Sequence, residues 1–216
     1  RECGVAERFG DAVRAAVVAA ESPSVTEPNA NGVGSAFEAL DVCVVIELCA
    51  TATAAHADVV LPGSAWAEKA GTVTNTDRRV MRMRPNAEPP GDARRDLSIL
   101  TELGRRLTDR PEEFDYDGPE SVFDELTDVT PIYEGMSYEG IGDGYQRWPF
   151  SAEAGEGTDV LHAETFATGE RTAPLVAVDP VPPVDEVGAD ELTLTTGRVL
   201  QHFNSGALSR RSDRLM

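Results

Sequence analysis

Asp41-Val-Cys-Val-Val-Ile-Glu47 places five consecutive apolar residues between two acids. An unbroken apolar run of this length, rich in β-branched residues, reads as a strand buried on both faces, as in a parallel sheet. The flanking sequence agrees. Asn31 to Leu40 reads as a helix with Val33, Phe37 and Leu40 on one face. Upstream, Glu7 to Val17 has helical character, and Val13-Arg-Ala-Ala-Val-Val-Ala-Ala20 turns into a short buried strand. Glu21-Ser-Pro-Ser24 forms the loop at that strand's carboxyl end. Downstream, Thr51 to Ala57 reads as a short Ala-rich helix, and Val59-Val-Leu61 as a third strand stopped by Pro62. Strand, helix, strand, helix, strand predicts an α/β fold with a parallel, dinucleotide-binding-like sheet. Ligand loops are then expected at the strand carboxyl ends.

The stretch from Ala57 to Asp96 follows the third strand and carries the densest polar pattern. It contains Trp66-Ala-Glu-Lys-Ala-Gly-Thr-Val-Thr-Asn-Thr-Asp-Arg-Arg79 and Pro89-Pro-Gly-Asp-Ala-Arg-Arg-Asp96. Polar groups at fixed offsets around Gly71 and Asn75 suit a loop that holds a polyanionic or heteroaromatic ligand. Lys69 is the chain's only lysine. Thr72, Thr74 and Asn75 read first as loop-stabilising groups. Arg78 and Arg79 are expected to pair with carboxylates, and His56 to be exposed on a helix. Val73 to Arg84 alternates and reads as extended, and Asn86 to Gly91 as a Pro-rich turn. Asp96 reads as the cap of a helix through Leu107, with Leu97, Leu100, Leu103 and Leu107 at helical spacing. Glu120 to Leu126 reads as another helix. Residues 127–190 lack clear periodicity and read as an irregular excursion. Leu192 to Leu200 restarts β structure, read as the start of a C-terminal β-barrel-type domain. The expected division is 1–110 for the α/β domain, 111–190 for the connecting segment and 191–216 for the second domain.

The 216 residues are 41% hydrophobic, which supports a core, and carry a net charge of −19 from 38 acidic and 19 basic residues. So acidic a surface repels nucleic acid and argues against a nucleic-acid partner. Strong acidity with Arg in place of almost all Lys points to a salt-adapted, cytoplasmic protein. No apolar run approaches the ~20 residues of a membrane helix. Arg1-Glu-Cys-Gly4 does not read as a signal peptide, and both ends read as cut from something longer. Cys3, Cys43 and Cys49 match no metal spacing, and Cys43 reads as a small core hydrophobe.

Four long motifs in order resemble the large catalytic subunit of the molybdopterin oxidoreductases that bind a bis(guanine dinucleotide) cofactor. Ala54-Ala-His-Ala-Asp-Val-Val-Leu-Pro62 resembles that family's Thr-Ala-x-x-Ala-Asp-Val-Val-Leu-Pro. Trp66 to Arg79 resembles Trp-x-Glu-Lys-x-Gly-Thr-x-Thr-Asn-x-Glu-Arg-Arg, and Pro90 to Asp96 resembles Pro-Gly-Glu-Ala-Arg-x-Asp. Leu194 to Arg211 resembles Leu-Thr-Thr-Gly-Arg-x-x-x-His-Trp-His-Thr-Gly-x-Met-Thr-Arg-Arg.

The resemblance implies a molybdopterin guanine dinucleotide cofactor carrying molybdenum or tungsten, with contacts position by position. Ile46 and Glu47 fall where the family holds a guanosine portion; Glu47 alternatively begins a helix. Lys69 falls on a family lysine near the cofactor, a point charge suited to phosphate or a pterin oxygen. Asp96 falls on an Asp that reads the guanine edge, a role compatible with capping. The run Thr196, Gly197, Arg198, Val199, Leu200, Gln201, His202, Phe203, Asn204 and Ser205 falls on the pterin-side loop. There Gly197 permits a tight turn, Arg198 suits phosphate, and His202 either meets the pterin or packs.

The chain departs from the family at Ala20-Glu-Ser-Pro23 (Gly-Glu-Asn-Pro in the family), at Ala52 in place of a Glu, and at His202-Phe-Asn204 in place of His-Trp-His. No four-cysteine cluster motif and no metal-ligating Cys stand in this sequence, so no catalytic residue or metal ligand is assigned. A [4Fe-4S] cluster is expected only in an N-terminal part outside this sequence. The implied activity is two-electron oxidoreduction most like formate dehydrogenase, with assimilatory nitrate reductase as the alternative. Formate or nitrate is the implied substrate, and a ferredoxin or iron–sulfur subunit the electron partner. A non-catalytic remnant or scaffold is the reading from another class. A generic NAD-binding protein is disfavoured because Gly-x-Gly-x-x-Gly does not occur.

Overall fold

The computed structural model describes residues 14–19, 22–27, 29–180, 188, 190–192, 197–202 and 204–214. Three parallel strands, β1 (Ala15–Ala19), β2 (Val42–Glu47) and β3 (Val59–Pro62), form a sheet in the order β1-β2-β3. The apolar run at 42–46 takes the centre, where Cys43, Val45 and Ile46 are buried. Two short helices, α1 (Pro23–Thr26) and α2 (Ala30–Glu38), make the β1-to-β2 crossover. The Asn29 side chain caps α2 by accepting from Gly32 N at 2.9 Å.

Three expectations change here. Strand, not helix, occupies Ala15 to Val17, and β1 is exposed or half-buried because it is an edge strand with one neighbour. The Ala-rich segment after β2 is a single 3₁₀ turn, Thr53–His56. Its His56 is half-buried against the Phe37 ring, with centroids 5.9 Å apart.

An antiparallel hairpin, β4 (Gly71–Thr74) and β5 (Arg79–Met83), follows. Asn75 Oδ1 closes its turn by accepting from Asp77 N at 3.2 Å and Arg79 N at 2.9 Å, the loop-stabilising role expected of it. Arg79 pairs with Asp77 at 2.9 Å. Among the described residues Arg78 does not pair with a carboxylate. Its guanidinium donates to the backbone carbonyls of Trp148, Thr158 and Asp159 at 2.6, 3.0 and 2.8 Å, tying the hairpin to a distant segment.

Helix α3 (Asp96–Leu107) forms where the periodicity placed it, but the leucine row is not its buried face. Ile99 and Thr101 are buried, while Leu100 and Leu107 are 42% and 76% exposed. The helix packs on the turn at Pro111–Phe114 and on the end of β3, and that selects a different stripe.

The segment read as irregular is structured through Gly157. After α4 (Pro119–Val129), the helix expected at Glu120 to Leu126, it holds α5 (Tyr138–Ile141), β6 (Gln146–Arg147), β7 (Phe150–Ser151) and β8 (Glu156–Gly157). Val80 from β5 and Phe123, Met136, Tyr138 and Ile141 form its core, and β6 extends the β4–β5 sheet. The elements are too short to show a period, and their partner strand lies far back in the chain. Residues 158–180 carry no helix or strand. The expected β restart and barrel are not seen: residues 190–192 and 197–202 carry no strand, and 193–196 lie outside the described residues. Among the described residues no helix is long and apolar enough to cross a membrane.

Cys43 is 1% exposed, and burial, reinforced by nearby Asp58, pushes its thiol pKa up. In a Cys3→Ser variant, Cys49 is expected to react with a disulfide reagent in the native state and Cys43 only on unfolding. Counting thiols before and after denaturant tests this.

Candidate functional site

The carboxyl ends of β1, β2 and β3 open onto one cavity of about 300 Å³. The chain turns off the sheet there because the apolar run of β2 ends at Glu47 and that of β3 at Pro62-Gly63. One wall comes from Ser22, Ile46, Glu47 and Leu48, at the ends of β1 and β2. Glu47 is 5% exposed, and its Oε1 accepts from Leu48 N at 2.8 Å. It ends the strand and starts no helix. Behind this wall, the Ser22 hydroxyl meets the buried Thr53 hydroxyl at 3.0 Å.

The second wall comes from the exit of β3 and from α3: Gly63, Ser64, Trp66, Lys69 and Asp96. Asp96 is the first residue of α3, and the capping position is Arg95, so Asp96 does not cap. Its carboxylate turns to the β3 exit, where Oδ1 accepts from Ser64 N at 3.1 Å and Oδ2 receives Lys69 Nζ. An acid in the first helical turn also meets the positive end of the helix dipole. Lys69 and Asp96, distant in sequence, are therefore each other's partners. Their side chains are 29% and 25% exposed.

The 3₁₀ turn Trp66–Glu68 is held at both ends. Glu68 Oε2 accepts from Ala65 N at 2.8 Å, and Arg95 Nε donates to Glu68 O at 3.0 Å. Gly63 is needed for space. A Cβ there would lie 2.8 Å from Asp96 Oδ1 and 3.2 Å from Ile46 Cγ2. Gly63→Ala is expected to push Asp96 aside and cost about 1–3 kcal/mol of stability, read in denaturant melts.

The third wall is the C-terminal stretch: Asn204, Ser205, Ala207, Leu208 and Ser209. Arg211 docks it by donating to Ala50 O at 2.7 Å, in the loop that follows β2. His202 stands behind the wall, with Nδ1 2.9 Å from Ser209 Oγ.

Ile46, Glu47, Lys69, Asp96, Asn204 and Ser205 thus meet at one cavity from three separate stretches. Gly197, Arg198, Val199, Leu200 and Gln201 are not brought to it; all five are exposed, Leu200 to 98%. Thr196 and Phe203 lie outside the described residues. Sequence reasoning missed Ser22, Ser64, Trp66 and Ser209. The first three lie just past strand carboxyl ends, where the α/β rule directs attention. A second cavity of about 450 Å³ borders Lys69 and is edged by Arg94, Arg95 and Arg105 together with Glu102 and Asp117; Arg95 pairs with Glu88 and Arg105 with Asp115.

Fold and site together define an α/β protein with a candidate ligand cavity, lined by apolar and polar side chains, at the carboxyl ends of a parallel sheet. Residues 6–106 match the molybdopterin oxidoreductase family model, and the chain belongs to that family. It is 37% identical over 207 residues to the F420-dependent formate dehydrogenase 1 subunit alpha of Methanococcus maripaludis, covering 95% of this chain and 30% of that protein. It is 36% identical over 199 residues to the assimilatory nitrate reductase catalytic subunit of Bacillus subtilis, covering 88% of this chain and 28% of that protein. To formate dehydrogenase H of Escherichia coli it is 32% identical over 202 residues, covering 91% and 28%. The chain therefore spans about three-tenths of the length of these relatives. Acetylene hydratase from Pelobacter acetylenicus shares the fold with a TM-score of 0.50 at 22% identity, over 65% of this chain and 20% of that one.

Proposed function

We propose that this chain is the part of a molybdenum or tungsten oxidoreductase catalytic subunit that holds the guanosine end of one molybdopterin guanine dinucleotide arm, in an enzyme acting on formate. The observation that carries this is the meeting of Ile46 and Glu47, Lys69 and Asp96, and Asn204 and Ser205 at one cavity. The residues fit the group. The Asp96 carboxylate can accept from the N–H edge of guanine, the buried Glu47 from ribose hydroxyls, and Lys69 can meet a phosphate. Beyond Lys69, Arg94 edges the neighbouring cavity and suits the anionic stretch of a dinucleotide, while Arg95 and Arg105 there are already paired with Glu88 and Asp115.

When bound, the metal–pterin group supplies the two-electron redox chemistry. This chain's residues bind and orient the nucleotide arm and neutralise its charge. The formate reading rests on the formate dehydrogenase relatives. Nitrate is the second reading, favoured by the 36% identity to the B. subtilis nitrate reductase. A ferredoxin or an iron–sulfur subunit is the proposed electron partner.

Calorimetric titration of the chain with GDP is expected to show saturable binding, with ADP about tenfold weaker or worse, because adenine lacks the N1–H and N2–H donors that a carboxylate reads. No GDP binding at millimolar concentration would overturn the reading. The net charge of −19 further supports salt adaptation. Melting temperature is expected to rise between 0.1 and 2 M salt as self-repulsion is screened, and a fall would rule salt adaptation out.

A further inference from the structure

Ser64 is 2% exposed, and its hydroxyl has no hydrogen-bond partner among the described residues. It lines the same cavity as Lys69 and Asp96. A buried hydroxyl without a partner is uncommon, because burial removes water and something must replace it. Its backbone cannot drift away, since Ser64 N is held by Asp96 Oδ1 at 3.1 Å. The hydroxyl is therefore kept on the wall that carries the Asp96 carboxylate.

Two residues on, Trp66 borders the cavity while 75% exposed. An indole left this open forgoes the burial that large aromatic side chains normally gain. Its backbone is held, because Ala65, Glu68 and Arg95 fix the turn it starts. The cavity thus borders an exposed flat aromatic side chain and an unused hydroxyl beside a carboxylate already engaged by Lys69.

We propose that Trp66 and Ser64 form a base subsite for a planar, N–H-bearing heterocycle of the purine nucleotide class. Trp66 stacks on the ring and Ser64 Oγ takes a polar ring atom. The Lys69–Asp96 pair opens on binding, freeing the carboxylate for the ring's N–H edge and the ammonium for phosphate. This rests on the nucleotide reading above and adds two contacts to it.

GDP titrations followed by calorimetry and by tryptophan fluorescence test it. Bound GDP quenches Trp66, with a Trp148→Phe variant separating the two indoles. Trp66→Ser weakens GDP about tenfold or more, and Trp66→Phe restores most of that, since base–aromatic stacking tolerates a change of ring. Ser64→Ala weakens GDP about tenfold yet leaves the melting temperature unchanged or higher, because it removes a buried group that lacked a partner. If Asp96→Asn lowers affinity while Ser64→Ala and Trp66→Ser bind like the parent chain, this subsite is wrong and the nucleotide reading stands. If the parent chain binds no GDP, both fall.

Discussion

Asp96→Ala is expected to lower GDP affinity by ~10- to 100-fold, the largest binding effect of any single change in this chain. The carboxylate is the only group on its wall able to accept from two ring donors, and charge-assisted hydrogen bonds contribute about 1.5–3 kcal/mol each. The substitution also strands Lys69, which loses its ion-pair partner, and Ser64 N, which loses its acceptor. Asp96→Asn keeps the shape and one acceptor but removes the charge, so it falls between Ala and the parent. Lys69→Ala frees the carboxylate and removes the cation. Its loss is expected to be smaller with guanosine than with GDP, because it takes away a phosphate contact and not a base contact. Equal GDP binding by the parent and Asp96→Ala would remove Asp96 from the site.

Phe123→Ala is expected to cost about 3–5 kcal/mol, enough to consume much of the 5–15 kcal/mol typical of a folded domain. Phe123 is 3% exposed and sits among Val80, Met136, Tyr138 and Ile141, with the Tyr138 ring centroid 5.6 Å away. No neighbour can refill the space, because Val80 is held in the β5 ladder and Ile141 in its own short helix. Urea melts of Phe123→Ala and Phe123→Leu measure it, with Leu losing clearly less because it fills most of the volume. An Ala variant within about 1 kcal/mol of the parent would mean that this cluster is not the core of residues 119–151. The same cluster backs the β4–β5 hairpin, so its loss should also weaken the Arg78 ties to Trp148, Thr158 and Asp159.

The parallel sheet was legible in the sequence because the evidence for it is local. Five apolar residues at 42–46, and short apolar runs before and after, need no distant partner to be recognised. Membership of the family was legible for the same reason: motif spacing survives without knowledge of the fold. The hairpin turn at Asn75 was also local, and its side chain does what an Asn in a turn does. Asp96 was misread as a cap because an acid before a leucine row has that signature, while its actual partners, Lys69 and Ser64 N, lie 27 and 32 residues away. The leucine row of α3 misled in the same way. Periodicity shows that a helix has an apolar side, not which neighbour will cover it.

By itself the sequence determined the order of the three parallel strands, helices α2, α3 and α4, the acidic composition and the identity of the loops that carry Lys69 and Asp96. Only the tertiary structure decided that these two residues hold each other, that residues 119–157 fold onto β5, and that Ser64 and Trp66 face the cavity while Arg198 and Leu200 do not. The physical reason is range. Strand and helix tendencies act over a few residues. A buried hydroxyl left without a partner, or a carboxylate turned from its own helix to a distant ammonium, exists only once the chain has closed on itself.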